Sequence, residues 1–315
     1  MAELAVLVTC PPMQRTASDW IGRFEALGIR VGLPPVVQQL ARDELARLLP
    51  DYDGMIAGDD QVTASLLAGA PRLRVVSKWG IGLDGIDLAA AERLGIRVTN
   101  TPGSFGDEVA DVAIGYMVML ARGLHRIDRS VRNGAWEKPQ GISLAGRTLG
   151  IVGLGSIGRA VARRGIAMGM RVIGHDVIAS IAERAAEIGV ALVDLDTLIA
   201  EADLLSLNCP LTDQNRGLMN AARLSSMRPG SYLINTARGP LVDERALIEA
   251  LRSGHLAGAA LDVFEEEPLP TSSPLVGMEN VVLGSHNASN TREAVARVNQ
   301  LAIDNVLKGM AEVTR

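Results

Sequence analysis

The sequence predicts an α/β protein made of two doubly wound parallel-sheet domains with an interdomain cleft. Three observations predict it. Short β-branched runs alternate with amphipathic stretches over residues 4–99, the pattern breaks at Asn100-Thr101-Pro102-Gly103, and it restarts near Arg147. Strand–helix alternation of this kind implies parallel strands with helices on both faces of the sheet. The 315 residues are 48% hydrophobic, which is enough for two ordinary cores without disulfide or metal staples.

In the first half, strands are expected at residues 4–8, 29–33, 54–57, 74–77 and 96–99, and helices at 17–27, 42–49, 64–70 and 88–94. A long helix is expected at 104–125. It carries Val109, Val112, Ala113, Tyr116, Met117 and Leu120 and is apolar around much of its circumference. The polar stretch 126–146, with Trp136 and Pro139, reads as an exposed arm. The region 104–146 is therefore the candidate interface of a two-fold homodimer. The second half offers strands at 147–153, 171–175, 204–207, 231–235, 256–262 and 281–283, and helices at 157–168, 178–187 and 291–308.

Charge and cysteine usage exclude several classes. A net charge of −5 argues against nucleic acid or an acidic membrane surface as a partner, but leaves room for a small anion held by local cations. No apolar run approaches the ~20 residues of a membrane span. The N-terminal run 4–8 is short and ends at Pro11-Pro12, so it reads as a strand and not as a signal peptide. Cys10 and Cys209 lack ligand spacing. They read as reduced thiols of a cytoplasmic protein with no metal site.

The strongest local motif is Gly153-Leu154-Gly155-Ser156-Ile157-Gly158, which follows an apolar strand and opens an amphipathic helix. Gly153 permits the tight turn, Gly155 lets the backbone approach a pyrophosphate, and Gly158 lets helix and strand pack closely. The helix start, with Ser156 and Ile157, presents N–H groups to phosphate oxygens. Asp176 ends the next strand, about 20 residues on, where a carboxylate bonds the ribose hydroxyls. It would repel a 2′-phosphate, and no Lys or Arg follows at 177–180, so the expected cofactor is NAD. The second domain is thus Rossmann-like. The final helix follows its completion, which points to a discontinuous, flavodoxin-like substrate domain of residues 1–100 plus 286–315, with 101–285 binding the dinucleotide. The crossings near Thr101-Pro102 and Ser285-His286 are candidate hinges.

A nicotinamide site needs a proton donor. Of four histidines, His125 reads as a solvated helix end, His175 as a strand-edge residue and His255 as part of a turn. His286 lies in the loop after the last strand, on the side where open α/β sheets bind ligands, and is the best acid/base candidate.

Several further segments carry a family resemblance over essentially the whole chain. They are Lys78-Trp79-Gly80-Ile81-Gly82-Leu83-Asp84, Asn100-Thr101-Pro102-Gly103, the glycine motif, Leu207-Asn208-Cys209-Pro210-Leu211-Thr212, Asn235-Thr236-Ala237-Arg238-Gly239, Leu261-Asp262-Val263-Phe264-Glu265-Glu266-Glu267-Pro268, and His286. In these the chain resembles the D-isomer-specific 2-hydroxyacid dehydrogenases. The resemblance implies a hydride exchanged between NAD(H) and a small D-2-hydroxy or 2-keto acid. It places the family's catalytic Arg, Glu and His on Arg238, Glu267 and His286. Their chemistry agrees: a guanidinium clamps a carboxylate, an imidazole moves the carbonyl proton, and a carboxylate orients the imidazole. The resemblance also implies a substrate loop at Gly80, Ile81 and Gly82, cofactor-lining positions at Cys209, Pro210, Thr236 and Ala237, a carboxamide contact at Asp262, and a homodimer.

The loop around Lys78 is most similar to the D-3-phosphoglycerate dehydrogenase branch, where a basic residue favours a second anionic group. Against a phosphate stand Asp59 and Asp60, and the sequence shows no additional regulatory domain after residue 315. Glyoxylate or hydroxypyruvate reduction is the alternative. From other classes come an NADH-sensing module like the family's corepressor relatives, which would bind NADH and consume none, and a vestigial oligomerisation protein, which would not bind it at all.

Overall fold

The computed structural model describes residues 3–312; the expected domain ends at 1–2 and 313–315 lie outside the described residues. The chain forms two compact units, residues 3–104 with 290–312, and residues 105–289.

The smaller unit holds β1 (Ala5–Val8), β2 (Arg30–Gly32), β3 (Gly54–Ala57), β4 (Val75–Lys78) and β5 (Arg97–Thr99). All pair in parallel, in the order β2-β1-β3-β4-β5. Every residue of β1, β3 and β4 is buried: their apolar side chains are covered on both faces, and the two polar residues of β4, Ser77 and Lys78, are hydrogen-bonded. One face packs Met55 and Val76 against Leu45, Leu66, Leu67 and Ala90 of three short helices. The other takes the final helix, Arg292–Glu312, which lies on β3 and β4; Ser77 Oγ donates to its Ala302 carbonyl at 3.1 Å.

The larger unit holds β6 (Thr148–Val152), β7 (Arg171–His175), β8 (Ala191–Leu192), β9 (Leu204–Leu207), β10 (Ser231–Asn235), β11 (Leu256–Leu261) and β12 (Val281–Leu283). The sheet is parallel throughout, in the order β12-β11-β10-β9-β6-β7-β8. The winding reverses between β6 and β9, and such a switch point opens a crevice at the carboxyl ends of its strands. Leu198, Leu205, Leu224, Leu233 and Leu247 fill one layer, and Ala113, Met117, Leu120, Leu149 and Val161 the other. No helix among the described residues is long and apolar enough to cross a membrane.

Three expectations are corrected. The helix expected at 104–125 spans Gly106–Arg122 and stops where Gly123 turns left-handed (φ 62°). The stretch read as an arm from 126 begins as a second helix, Leu124–Arg132; its Asp128–Arg132 pair stands at helical spacing. The helix expected at 17–27 is broken into a short 3-10 turn, Ala17–Asp19, and a helix, Ile21–Glu25. Trp20 leaves helical geometry between them, buried with Nε1 donating to the Met13 carbonyl at 2.9 Å.

Candidate active site

The glycine motif forms the turn from β6 into helix Ser156–Ala167. Gly153 has φ 89°, and a Cβ there would meet Cys209 N at 2.7 Å and Asn208 C at 2.8 Å. The turn therefore lies directly against the turn after β9, at the switch point. Gly155 faces open space, with nothing within 4 Å of an added Cβ. The helix starts on Gly155 without a side-chain cap, so its first N–H groups are available to an anion. Asp176 follows β7; its Oδ2 accepts from Leu154 N at 2.7 Å and its Oδ1 from Ile178 N at 2.9 Å. This carboxylate is thereby tied to the glycine turn. An open cradle, an uncapped helix start and a carboxylate beside them fit a dinucleotide. Burial pushes the Cys209 thiol up to about 11, so it is a neutral wall residue and not a nucleophile.

The three catalytic candidates follow three adjacent strands: Arg238 after β10, Glu267 after β11 and His286 after β12. His286 Nδ1 lies 2.8 Å from Glu267 Oε2. A carboxylate only accepts, so Nδ1 carries the hydrogen and Nε2 is the atom left to exchange a proton. Glu267 Oε1 also accepts from Phe264 N at 3.0 Å, which fixes the carboxylate. Glu265 and Glu244 each accept the other's backbone N–H, so Glu265 is engaged elsewhere while Glu267 meets the imidazole. Arg238 is half-buried and extended; its loop is braced by Asn235, whose Nδ2 donates to the Arg238 carbonyl at 2.8 Å. Next to it, a Cβ on Gly239 would collide with the backbone of Phe264 and Glu265. Gly239 is what lets the Arg238 loop and the Glu267 loop touch.

Asp262 does more than its motif suggests. It is 2% exposed, its carbonyl accepts from His286 N at 2.6 Å, and its Oδ2 accepts from Ala288 N at 2.9 Å. Tyr116 Oη donates to its Oδ1 at 3.2 Å. Burial raises the Asp262 carboxyl, while these donors and the nearby His286 oppose the rise. Tyr116 was legible only as one apolar position of a helix, because nothing in a linear pattern pairs its hydroxyl with residue 262.

The smaller unit holds the other expected substrate residues. Lys78 is 6% exposed, and its Nζ donates to Asp59 Oδ1 at 2.9 Å and to the Gly58 carbonyl. Gln38 Nε2 holds the other Asp59 oxygen at 3.0 Å. Asp60 is buried, accepting from Thr9 Oγ1 and from Leu40 N, and burial raises its carboxyl. Gly80 has φ 142°; Thr101 N donates to its carbonyl at 2.9 Å. Asn100 Nδ2 donates to the Ile81 carbonyl at 2.7 Å. The N–H groups of Ile81 and Gly82 meet no acceptor among the described residues, as an anion-binding loop requires. Of the remaining histidines, His125 Nε2 contacts the Glu279 carbonyl at 2.9 Å, His175 Nδ1 contacts the Val193 carbonyl at 3.1 Å, and His255 sits in the turn before β11.

A doubly wound sheet with this glycine turn, and an imidazole–carboxylate pair at the same edge, defines a dinucleotide-dependent oxidoreductase. A family model described as D-isomer specific 2-hydroxyacid dehydrogenase, NAD binding domain, matches residues 114–288. A hydroxypyruvate reductase of Thermotoga maritima is 39% identical over 303 residues, 94% of this chain and 95% of that one. A D-3-phosphoglycerate dehydrogenase of Archaeoglobus fulgidus is 40% identical over 271 residues, 85% of this chain but 51% of the relative, so the chain spans about half that protein's length. The crystal structure of a glyoxylate reductase from Paecilomyes thermophila, 28% identical, superposes with a TM-score of 0.85 over 98% of this chain and 96% of that one. The chain belongs to the D-isomer specific 2-hydroxyacid dehydrogenase family. It is an NAD-dependent oxidoreductase that moves a hydride between the cofactor and a 2-hydroxy or 2-keto acid.

Proposed function

We propose that this dehydrogenase works on a small 2-keto acid without a phosphate, of the glyoxylate or hydroxypyruvate kind. The observation that carries the reading is the Lys78–Asp59 pair, 2.9 Å apart, with Lys78 buried and Asp59 half-buried. The ammonium that could greet a second anionic group is already matched by a carboxylate, with Asp60 close behind. A phosphate would have to displace Asp59 or sit beside it, and like charges at short range in a partly buried site are costly.

In the reduction direction, NADH, when bound, would supply the hydride that the carbonyl carbon takes up. Arg238 clamps the substrate carboxylate in a bidentate pair and so presents one face of the carbonyl. His286 gives its Nε2 proton to the carbonyl oxygen, so the keto acid leaves as a 2-hydroxy acid and the imidazole is left neutral. Glu267 orients the ring and favours its protonated form beforehand. Within the smaller unit, the N–H groups of Ile81 and Gly82 suit a carboxylate. Cys209, Pro210, Thr236 and Ala237 line the cofactor, and Asp262 accepts from the nicotinamide carboxamide.

The enzyme acts in the cytoplasm as a homodimer. Its free thiols, Cys10 and Cys209, suit a reducing compartment. Leu124 (44% exposed), Val131 (43%) and Trp136 (78%) leave apolar surface for a second copy. A monomer by light scattering would remove the dimer.

Initial rates of NADH consumption with glyoxylate, hydroxypyruvate and 3-phosphohydroxypyruvate test the substrate. The unphosphorylated acids are expected to show a kcat/KM at least about tenfold higher, on the order of 1.4 kcal/mol. Preference for the phosphorylated acid would overturn the reading in favour of a phosphoglycerate-type enzyme. NADH binding without consumption would leave only a sensor.

A further inference from the structure

We infer that Tyr116 is a positioning residue of the reaction, holding the proton-donating histidine in place through Asp262. The inference rests on the reading of His286 as the proton donor.

His286 is the non-glycine residue with a left-handed backbone, φ 53°, among those described. A side chain in that region persists only where its surroundings impose it. Here one residue imposes it. The Asp262 carbonyl takes the N–H of His286 at 2.6 Å, and its carboxylate takes the N–H groups of Ala288, at 2.9 Å, and of Asn287. Three successive amides of the histidine loop thus converge on Asp262. The two that reach the carboxylate, from Asn287 and Ala288, need it ionised and turned toward them.

Tyr116 governs that turn. The other donors to the carboxylate belong to the loop being held, whereas Tyr116 reaches it from helix Gly106–Arg122, at 3.2 Å. The helix is a firm base: Ala113, Met117 and Leu120 are buried in the core beside it. Space for the contact is reserved by Gly284, where a Cβ would collide with both the Asp262 carboxylate and the Tyr116 hydroxyl. Two oxygens held from two directions define one rotamer, and the histidine loop inherits it. Burial and the Asp262 charge push the Tyr116 hydroxyl well up, so it stays a donor at any working pH. The ionisable groups around Asp262 are Tyr116 on the helix side and His286 on the loop side, with Glu267 beyond the imidazole.

Tyr116→Phe tests this, since it removes one oxygen and keeps the ring. Loss of a donor to a buried carboxylate makes ionisation of Asp262 harder, so activity in acid should fail at a higher pH than in the wild type. With glyoxylate or hydroxypyruvate, kcat should drop about five- to twentyfold, with thermal stability changed little. In the double variant with Asp262→Asn, the tyrosine change should add nothing to the effect of Asp262→Asn alone, because the two act as one unit. A purely structural tyrosine would lower the melting temperature and leave the pH profile where it was. Wild-type kcat and acid limb in Tyr116→Phe, or effects that simply multiply in the double variant, would overturn the inference. A His286→Ala variant assayed alongside keeps the outcomes apart. If it retains turnover, the underlying reading of the histidine fails; if it is dead while Tyr116→Phe matches wild type, only the tyrosine inference fails.

Discussion

Glu267 Oε2 and His286 Nδ1 lie 2.8 Å apart, although 19 residues and a whole strand separate them in the chain. A carboxylate this close favours the imidazolium over the neutral ring. Reduction consumes the protonated ring, so its rate falls as pH rises through the histidine's titration. Glu267→Gln should move that basic limb to lower pH and cut kcat for reduction at neutral pH by about 10- to 100-fold. For oxidation, which needs the neutral ring, the limb should also move down but activity should extend further into acid. Profiles of kcat/KM against pH in both directions check this, and an unmoved limb would break the assignment.

Asp176, the residue proposed to meet the ribose, accepts from the backbone N–H groups of Leu154 and Ile178. Asp176→Ala removes the charge that opposes a 2′-phosphate. The ratio of kcat/KM for NADPH over NADH should rise by about 10- to 100-fold, mostly through KM. An unchanged ratio would mean that cofactor choice is made elsewhere.

The Lys78–Asp59 pair makes a prediction about substrate charge. Asp59→Asn leaves the ammonium in place and removes its match. Use of 3-phosphohydroxypyruvate should improve about tenfold relative to glyoxylate, and the gain should shrink as salt is added. Equal changes for both acids would show that Lys78 does not sense the second anion.

Most of the fold was legible because its central strands are buried on both faces. Runs such as Leu204–Leu207 and Gly54–Ala57 are buried throughout, and helices must alternate with them to cover the sheet. The glycine turn, Asp176 and the loops of Arg238, Glu267 and His286 were legible as motifs at strand ends. Lys78 was legible as a cation, but its partner at Asp59 pointed instead to repulsion, since a sequence lists charges without showing which ones meet. Tyr116 and Gly284 were hidden for a related reason: their roles exist only where a helix crosses the end of β12. Helix Leu124–Arg132 was read as an arm because it buries no residue, and burial is what an apolar pattern reports.

Buried acids should mark the stability profile. Burial raises the Asp60 carboxyl above its ordinary value, so the fold favours its protonated form. That contribution is fully present below the ordinary carboxylate pKa and is lost as pH climbs through the raised one. Relative to Asp60→Asn, the wild type should therefore lose melting temperature as pH rises from the ordinary carboxylate range through the raised one. Parallel profiles for the two proteins would show that Thr9 and Leu40 fully offset the burial.

The most direct test of the account is His286→Ala, measured for turnover of a 2-keto acid and, separately, for NADH binding by fluorescence titration. Turnover is expected to fall by about 10²- to 10⁴-fold while the affinity for NADH stays within about threefold, because the proton donor is lost and the glycine-turn site is untouched. Turnover equal to wild type would contradict the proton transfer assigned to this histidine, and with it the catalytic arrangement.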